Sequence, residues 1–186
     1  GTNAITGAVC CWLDSVPQLV ISGQVFKDQT IGDSGLRQMG VQEINIIDLV
    51  RPITKYAVMV TEAHTTLYHI QKAIHIATTG RYGPVWVDIP GDIQNAVIDE
   101  ADLKIFDPAE IQPVKYDDDL DEKVAAVAAL LNSAKRPLLH IGQGVALAGA
   151  LDDFMALVER YDLPFVTARH ATQYVNWDHP LYIGQP

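Results

Sequence analysis

Cysteine is almost missing from this sequence. Among 186 residues only Cys10 and Cys11 occur, and they are neighbours. Adjacent cysteines cannot link distant parts of a chain, and no second pair follows at the spacing of a zinc site. A disulfide-stabilised scaffold and a cysteine-based zinc domain are therefore excluded, and we expect both side chains to be small buried residues on a helix.

Long apolar runs and a secretory leader are missing as well. Although 48% of the residues are hydrophobic, no apolar run approaches the ~20 residues that a membrane-spanning helix needs. The first residues, GTNAITGAVCCWLDS, have neither the basic start nor the cleavage pattern of a signal peptide. We therefore expect no membrane partner and a cytoplasmic location.

Basic residues are scarce relative to acidic ones. The chain has 13 Lys and Arg against 23 Asp and Glu, a net charge of −10. Phosphate binding needs clustered Lys and Arg, so a nucleic-acid partner is excluded. Most of the negative charge falls in residues 99–122, which contain ten acidic residues and two lysines. We interpret this segment as a solvated connector. The acids are Asp99, Glu100, Asp102, Asp107, Glu110, Asp117, Asp118, Asp119, Asp121 and Glu122.

Several motifs of common enzyme classes are also absent. The sequence has no GxSxG elbow and no phosphate-binding loop with a Walker lysine, which disfavours the usual hydrolases and kinases. His64, His69 and His75 do not share one helical face, so we assign no metal site. His140 lies within an apolar strand and is expected in the core. In GQGVALAG, residues 142–149, the third glycine falls later than a dinucleotide fingerprint requires.

What the sequence does contain is a regular alternation of helices and apolar strands. Strands that are apolar on both faces, between amphipathic helices, are typical of parallel sheets covered by helices. The fold class is therefore α/β, with two parallel-sheet units. We predict helices near 5–14, 41–50, 67–77, 124–131 and 151–158, strands near 18–25, 55–60, 85–90, 137–142 and 164–168, and a long loop over 26–40.

The alternation is interrupted once, which defines the domains. We predict an α/β domain over residues 1–98, an acidic linker over 99–119 and a second α/β domain over 120–186. The chain begins directly at a helix with no strand before it, and we expect YIGQP at its end to lie in a loop. Because a parallel sheet needs neighbours for its edge strands, we expect each unit to be incomplete as written.

Ligands of such sheets bind at the carboxyl ends of the strands, so candidate residues were sought there. A helix N-terminus has free N–H groups and a partial positive charge, so Gly1, Thr2 and Asn3 could bind an anion or a polar ring. Alternatively, Thr2 or Asn3 simply caps its own helix. The spacing of these residues does not decide between the two.

Three ordered segments, residues 1–25, 41–60 and 83–94, resemble the thiamine-diphosphate enzymes of the acetolactate synthase type. Residues 136–186, including the stretch DHPLYIG, resemble the start of the central domain of that family. The resemblance implies that residues 1–98 are the later part of the pyrimidine-binding domain. Residues 120–186 would then be the first part of the central domain.

The resemblance also implies roles for three residues. Asn3 matches the asparagine of the family's GPGxTN turn, which lies beside the aminopyrimidine of thiamine diphosphate. Gln42 matches a glutamine that approaches the cofactor and substrate from the opposite subunit, and Arg51 matches an arginine that contacts FAD in members that keep a flavin. Alternatively, Gln42 is merely solvated and Arg51 pairs with Asp48 at i+3 spacing.

The family's catalytic apparatus is implied to lie outside these residues. Its activating glutamate would precede residue 1, and the diphosphate and Mg²⁺ would be held by a domain that follows residue 186. We therefore assign no catalytic residue here and expect the chain alone to be inactive. The resemblance implies a homodimeric or homotetrameric carboligase or decarboxylase of 2-keto acids such as pyruvate, in branched-chain amino acid biosynthesis.

The sequence departs from the family pattern at several places. Gly91 stands where typical acetolactate synthases carry a lysine, Val41 stands where they have a phenylalanine, and the loop before Gln42 is longer. A lysine offers a positive charge to a carboxylate, and glycine offers none. A related thiamine-diphosphate lyase or carboligase with a different acceptor therefore stays open, as does a non-catalytic α/β nucleotide-binding module.

Overall fold

The structure, a computed structural model, describes residues 1–113 and 118–186. Its contacts divide the chain into two compact units, Gly1–Val114 and Lys115–Pro186. Part of the predicted acidic linker, residues 114–117, lies outside the described residues. In the part of the chain that is described, no helix is long and apolar enough to cross a membrane.

The first unit is built on a three-stranded parallel sheet, which confirms the predicted fold class. Its elements are α1 (Ile5–Asp14), β1 (Gln18–Gln24), α2 (Ile46–Val50), β2 (Tyr56–Met59), α3 (Thr66–Ala77), β3 (Pro84–Pro90) and α4 (Gly91–Gln94). The strand order is β1-β3-β2, so the last strand in sequence occupies the centre. Alternate residues of β3 face opposite cores, Val85 and Val87 toward α3 and Trp86 toward α1 and α2.

The second unit has a second parallel sheet. Its elements are α5 (Leu120–Ser133), β4 (Leu139–Ile141), α6 (Gln143–Leu147), α7 (Leu151–Tyr161), β5 (Phe165–Thr167) and β6 (Tyr182–Gly184). The strand order is β4-β5-β6. The core of this unit forms where α7 covers one face, with Val158 and Phe165 fully buried. The expectation that the chain ends in a loop is wrong, because Tyr182–Gly184 pairs in parallel with β5.

Three burial predictions are wrong. Cys10 is exposed and Cys11 only partly buried, because α1 buries Ala8 toward the sheet and turns Cys10 away from it. His140 is exposed, since β4 directs Ile141, not His140, into the core formed with α7. The apolar stripe of α5 is exposed as well: the helix forms as predicted, but Val124 and Val127 remain 59% and 56% accessible.

The acidic segment is not a free connector over its first part. Phe106 is buried against α3, where its ring meets that of Tyr68 edge-on at 5.8 Å, and its backbone N–H donates to Gln71 Oε1 at 3.0 Å. Tyr68 also donates its hydroxyl hydrogen to Glu110 at 2.6 Å. Residues 99–113 therefore belong to the first unit. Phe106 holds them there, and the charge pattern of the sequence does not reveal this contact.

Candidate functional site

A buried carboxylate lies at the carboxyl end of the central strand of the first unit. Asp88 is 1% exposed and stands directly opposite Ser22 in the parallel register of β1 and β3. The Ser22 hydroxyl donates to Asp88 Oδ1 at 2.5 Å, and Gln24 Nε2 donates to Asp88 Oδ2 at 3.1 Å. Trp86 extends this series of hydrogen bonds by donating its indole N–H to Ser22 Oγ at 2.7 Å. We call these four residues the strand-end network.

The network holds a carboxyl group whose environment opposes ionisation. Burial raises the pKa of Asp88 above its ordinary value, and the hydrogen bonds from Ser22 and Gln24 partly offset that rise. Gln24 extends the network by donating to the backbone oxygen of Ile44 at 2.8 Å. The end of β1 is thus fastened both to β3 and to the segment before α2.

A cavity of about 230 Å³ opens beside the network. It combines amide and carboxylate groups with aliphatic side chains, which is the mixed lining typical of small-molecule sites. Among the three residues proposed from the sequence, Arg51 lines it. The lining comprises Gln24, Thr30, Ile31, Gly32, Glu43, Ile44, Asn45, Ile46, Ile47, Asp48, Arg51, Met59 and Asp88.

Glu43 fixes the long loop that borders this cavity. Its carboxylate accepts hydrogen bonds from the backbone N–H groups of Ile31 at 2.8 Å and Met39 at 2.9 Å. The bond from Ile31 is the main reason that the pKa of Glu43 lies below its ordinary value, since backbone donors favour the charged form. Sequence reasoning missed Glu43; the available signal was an acidic residue directly after Gln42 at the end of the long loop.

Replacing Glu43 by alanine is expected to loosen residues 31–40 and to raise the rate of trypsin cleavage after Arg37 several-fold, because a segment without its anchoring bonds opens more often. The measurement is limited proteolysis followed by mass spectrometry. Glu62→Ala is the matched control, since Glu62 is largely exposed and its carboxylate pairs with the side chain of His64. Equal cleavage rates for both variants would contradict the anchoring role.

Asn3 lies on a single 3₁₀ turn, Thr2–Ala4, that precedes α1. The turn begins at the strand-end network, since a Cβ at Gly1 would lie 3.4 Å from Ser22 Cβ and 3.5 Å from the Trp86 ring. The capping alternative is wrong, because no side chain caps this turn or α1. Asn3 itself is exposed, so its carboxamide is free of a structural role in helix capping.

Gln42 and Arg51 have different surroundings. Gln42 is exposed and has a left-handed backbone (φ 60°), a conformation that costs energy for a residue with a side chain. Arg51 forms the ion pair with Asp48 that its spacing allowed, at 3.3 Å, with both side chains about two-thirds exposed. Such a pair contributes little to stability, which leaves the guanidinium available to a stronger anionic partner.

Comparison with known proteins adds an independent finding. Residues 124–186 match the family described as thiamine pyrophosphate enzyme, central domain. The chain is 33% identical to an acetolactate synthase of Arthrospira platensis, with 98% of this chain and 31% of that protein covered. It is 35% identical to the acetolactate synthase large subunit of Corynebacterium glutamicum, with 100% of this chain and 28% of that protein covered. The chain therefore spans less than a third of the length of these relatives.

Proposed function

We propose that this chain is part of a thiamine-diphosphate-dependent carboligase or decarboxylase of 2-keto acids such as pyruvate. Residues 124–186 match the thiamine pyrophosphate enzyme central domain, and the whole chain is similar to acetolactate synthases. The observation that carries this proposal is the cavity at the carboxyl ends of β1 and β3, beside a buried carboxylate and the turn that bears Asn3. Ligands of parallel sheets bind at such strand ends.

The residues at this edge fit the aminopyrimidine half of the cofactor. An aminopyrimidine needs both hydrogen-bonding groups and an apolar surface. Ile46 and Met59 supply the apolar surface, whereas the amides of Gln24 and Asn45 are engaged within the protein. In our proposal Asn3 binds the ring through its carboxamide. Thiamine diphosphate, when bound, would supply the electron sink for decarboxylation.

The other residues at this edge position and shield the ligand. The strand-end network keeps the end of β1 rigid through bonds that Asp88 accepts, so the cavity wall is held before any ligand binds. Glu43 fixes the loop next to Gln42, and we propose that Gln42 acts at the site of a partner subunit in a homodimer or homotetramer. Its exposure and its strained backbone support a role outside its own unit.

The described residues offer no ligand group for Mg²⁺. Within residues 1–113 and 118–186, no group of three His, Cys, Asp or Glu side chains could hold a metal ion. We therefore derive no metal step for this chain and propose that the diphosphate and Mg²⁺ are held by other parts of a polypeptide of the relatives' length. FAD contact by Arg51 is a further proposal, supported by its weakly paired guanidinium at the cavity.

Isothermal titration of the 186-residue chain with thiamine diphosphate is expected to show no tight binding. The described residues offer a surface to the pyrimidine ring, but the charged diphosphate would lack the metal that neutralises it. A repeat with Mg²⁺ present serves as the control. A dissociation constant in the micromolar range would contradict the proposed division of the site.

A chimaera tests the function itself. The whole of this chain aligns with part of the acetolactate synthase large subunit of Corynebacterium glutamicum. In the chimaera this chain would replace that part. We expect CO₂ release from pyruvate that depends on thiamine diphosphate and Mg²⁺, and that falls when Asn3 is replaced by alanine. The proposal would be overturned by a chimaera that has the elution volume and melting temperature of the parent enzyme but releases no CO₂ in a reaction that depends on thiamine diphosphate.

A further inference from the structure

A second cavity, of about 340 Å³, opens at the edge of the first sheet that lies opposite the candidate site. Lys55 directly precedes β2, and Arg81 and Tyr82 lie just before β3, so the cavity adjoins the amino ends of these two parallel strands. The strand-end network lies at their carboxyl ends, and the two sites are therefore separate. We call this space the amino-edge cavity; the described residues that line it are Trp12, Leu13, Lys55, Arg81 and Tyr82.

A buried glycine brings two of the lining side chains together. A Cβ at Gly83 would lie 3.1 Å from Lys55 Cδ and 3.9 Å from Trp12 Cε3. The first of these distances is shorter than the separation at which carbon atoms pack best, so a side chain at position 83 would displace the lysine stem. The position of Lys55 at this cavity thus depends on the glycine.

The two cations of the cavity are held in different ways. The Lys55 ammonium donates to the backbone oxygens of Ile76 and Thr79, the latter at 2.6 Å, so it is engaged at the C-terminal end of α3. Arg81 Nε donates to Ser15 Oγ at 2.8 Å, and within the described part of the chain no carboxylate pairs with this guanidinium. Its two terminal nitrogens are therefore available to an anion, on a side chain that Ser15 orients.

The other lining residues provide an apolar, aromatic surface. Trp12 and Leu13, in the last turn of α1, are 41% and 67% exposed, and Tyr82 is partly buried. Among the described residues, neither the Trp12 ring nor the Tyr82 ring stacks on another ring or on a cation. An oriented guanidinium beside two such rings suits a flat apolar group that bears a carboxylate.

We infer that the amino-edge cavity binds a small aromatic carboxylate, with Arg81 on the carboxylate and Trp12 and Tyr82 on the ring. Small-molecule sites have volumes of about 300–1,000 Å³, and a cavity at the lower end of that range fits a ligand with a single ring. The described lining residues include two cations and no acid, in a chain whose net charge is −10. The charge of this cavity is thus opposite to that of the whole chain, which favours an anionic ligand here.

Three probes separate the charge from the ring. Phenylacetate has both, phenylacetamide has the ring without the charge, and acetate has the charge without the ring. Each would be titrated into the ¹⁵N-labelled 186-residue chain while the indole signal of Trp12 and the amide signals of Tyr82 and Gly83 are followed. Phenylacetate is expected to shift these signals saturably and to bind about two- to fivefold more tightly than phenylacetamide, the strength of an exposed ion pair. Acetate is expected to cause no saturable shift over the same concentrations.

Four variants assign the contributions of the charge and of the ring. Arg81→Gln is expected to reduce the affinity for phenylacetate to that for phenylacetamide, whereas Arg81→Lys keeps a cation and part of the preference. Arg136→Gln is the matched control, because it removes the same charge from an exposed position in the second unit. Trp12→Leu keeps an apolar side chain on α1 and is expected to weaken both probes that contain a ring.

Spectra without ligand show whether each variant folds, and Trp12→Leu, at a partly exposed position, tests the site even if Arg81→Gln unfolds the first unit. Equal affinities for phenylacetate and phenylacetamide would overturn the inference. It would also be overturned by shifts that appear only outside the cavity, by no binding of phenylacetate, or by unchanged binding in a folded Arg81→Gln or Trp12→Leu variant.

This inference and the proposed function fail separately. The titration contains no thiamine diphosphate and involves no turnover, so an inactive chimaera does not alter its readout. A missing preference for phenylacetate rejects the amino-edge site, while the cofactor dependence of the chimaera still decides the proposed function.

Discussion

Replacing Trp86 by alanine is expected to lower the free energy of unfolding of the first unit by about 3–5 kcal/mol. Trp86 is 0% exposed at the centre of the sheet and fills the core between α1 and α2. Its removal leaves a large cavity and takes away the indole donor to Ser22. The measurement is urea unfolding, resolved for this unit by hydrogen exchange at the amides of β3.

Trp177→Ala is the matched control, because Trp177 is 72% exposed. Loss of an exposed tryptophan removes little buried area, so its effect is expected to stay within about 0.5 kcal/mol. Trp86→Phe should recover part of the loss by refilling the core without restoring the indole N–H. If the two tryptophan-to-alanine variants lose the same stability, the central role of Trp86 is refuted.

Replacing Asp88 by alanine is expected to cost about 2–3 kcal/mol, because it leaves donors of Ser22 and Gln24 unpaired inside the protein. The isosteric variant Asp88→Asn keeps a polar group there but cannot ionise. Comparison with Asp88→Asn therefore separates the effect of charge from the effect of lost hydrogen bonds.

The contribution of Asp88 to the free energy of unfolding is expected to decrease as the pH rises. Burial raises the pKa of Asp88 above 3.8, so the folded state holds this proton more tightly than the unfolded chain does. The resulting stabilisation is fully present below the unfolded pKa and is lost as the pH rises through the raised, folded pKa. The stability of the wild-type chain relative to Asp88→Asn should thus fall across that window. A difference that is constant, or that grows with pH, would contradict a raised pKa.

Much of the first unit could be predicted from local patterns. The stripe containing Ile5 and Ala8 predicted α1, and the continuously apolar run 85–90 predicted a buried strand, both of which the structure contains. The expectation that Pro52 would push Arg51 out of the helical region is wrong: α2 ends at Val50, but Arg51 keeps helical angles (φ −49°, ψ −45°) and begins a 3₁₀ turn, Arg51–Ile53. The periodic signals are readable because they act within a few residues.

Burial was harder to predict than element type. The stripe of α5 and the apolar context of His140 both indicated core positions, yet both are exposed. Amphipathicity shows which face of an element is suited to burial, but a partner element must cover that face. Phe106 is the opposite case. Its acidic sequence neighbours predicted an exposed segment, but its side chain is buried against α3.

The residues of the candidate site were also predictable only in part. Gly91 stood out in the sequence as a missing side chain, and Arg51 and Asn3 were marked through the family resemblance. Ser22 and Asp88 were not marked, because they are 66 residues apart and meet only through the register of β1 and β3. Nor could the sequence show that Phe26 occupies the space beside Gly91.

By itself the sequence determined the α/β alternation and the parallel character of the sheets, because these depend on residue order and local period, and its ordered segments carried the resemblance to thiamine-diphosphate enzymes. The tertiary structure alone decided which polar groups share the carboxyl edge and which ring covers Gly91. Those contacts join residues about 65 positions apart, and strand pairing, which brings them together, is set by packing of the whole unit.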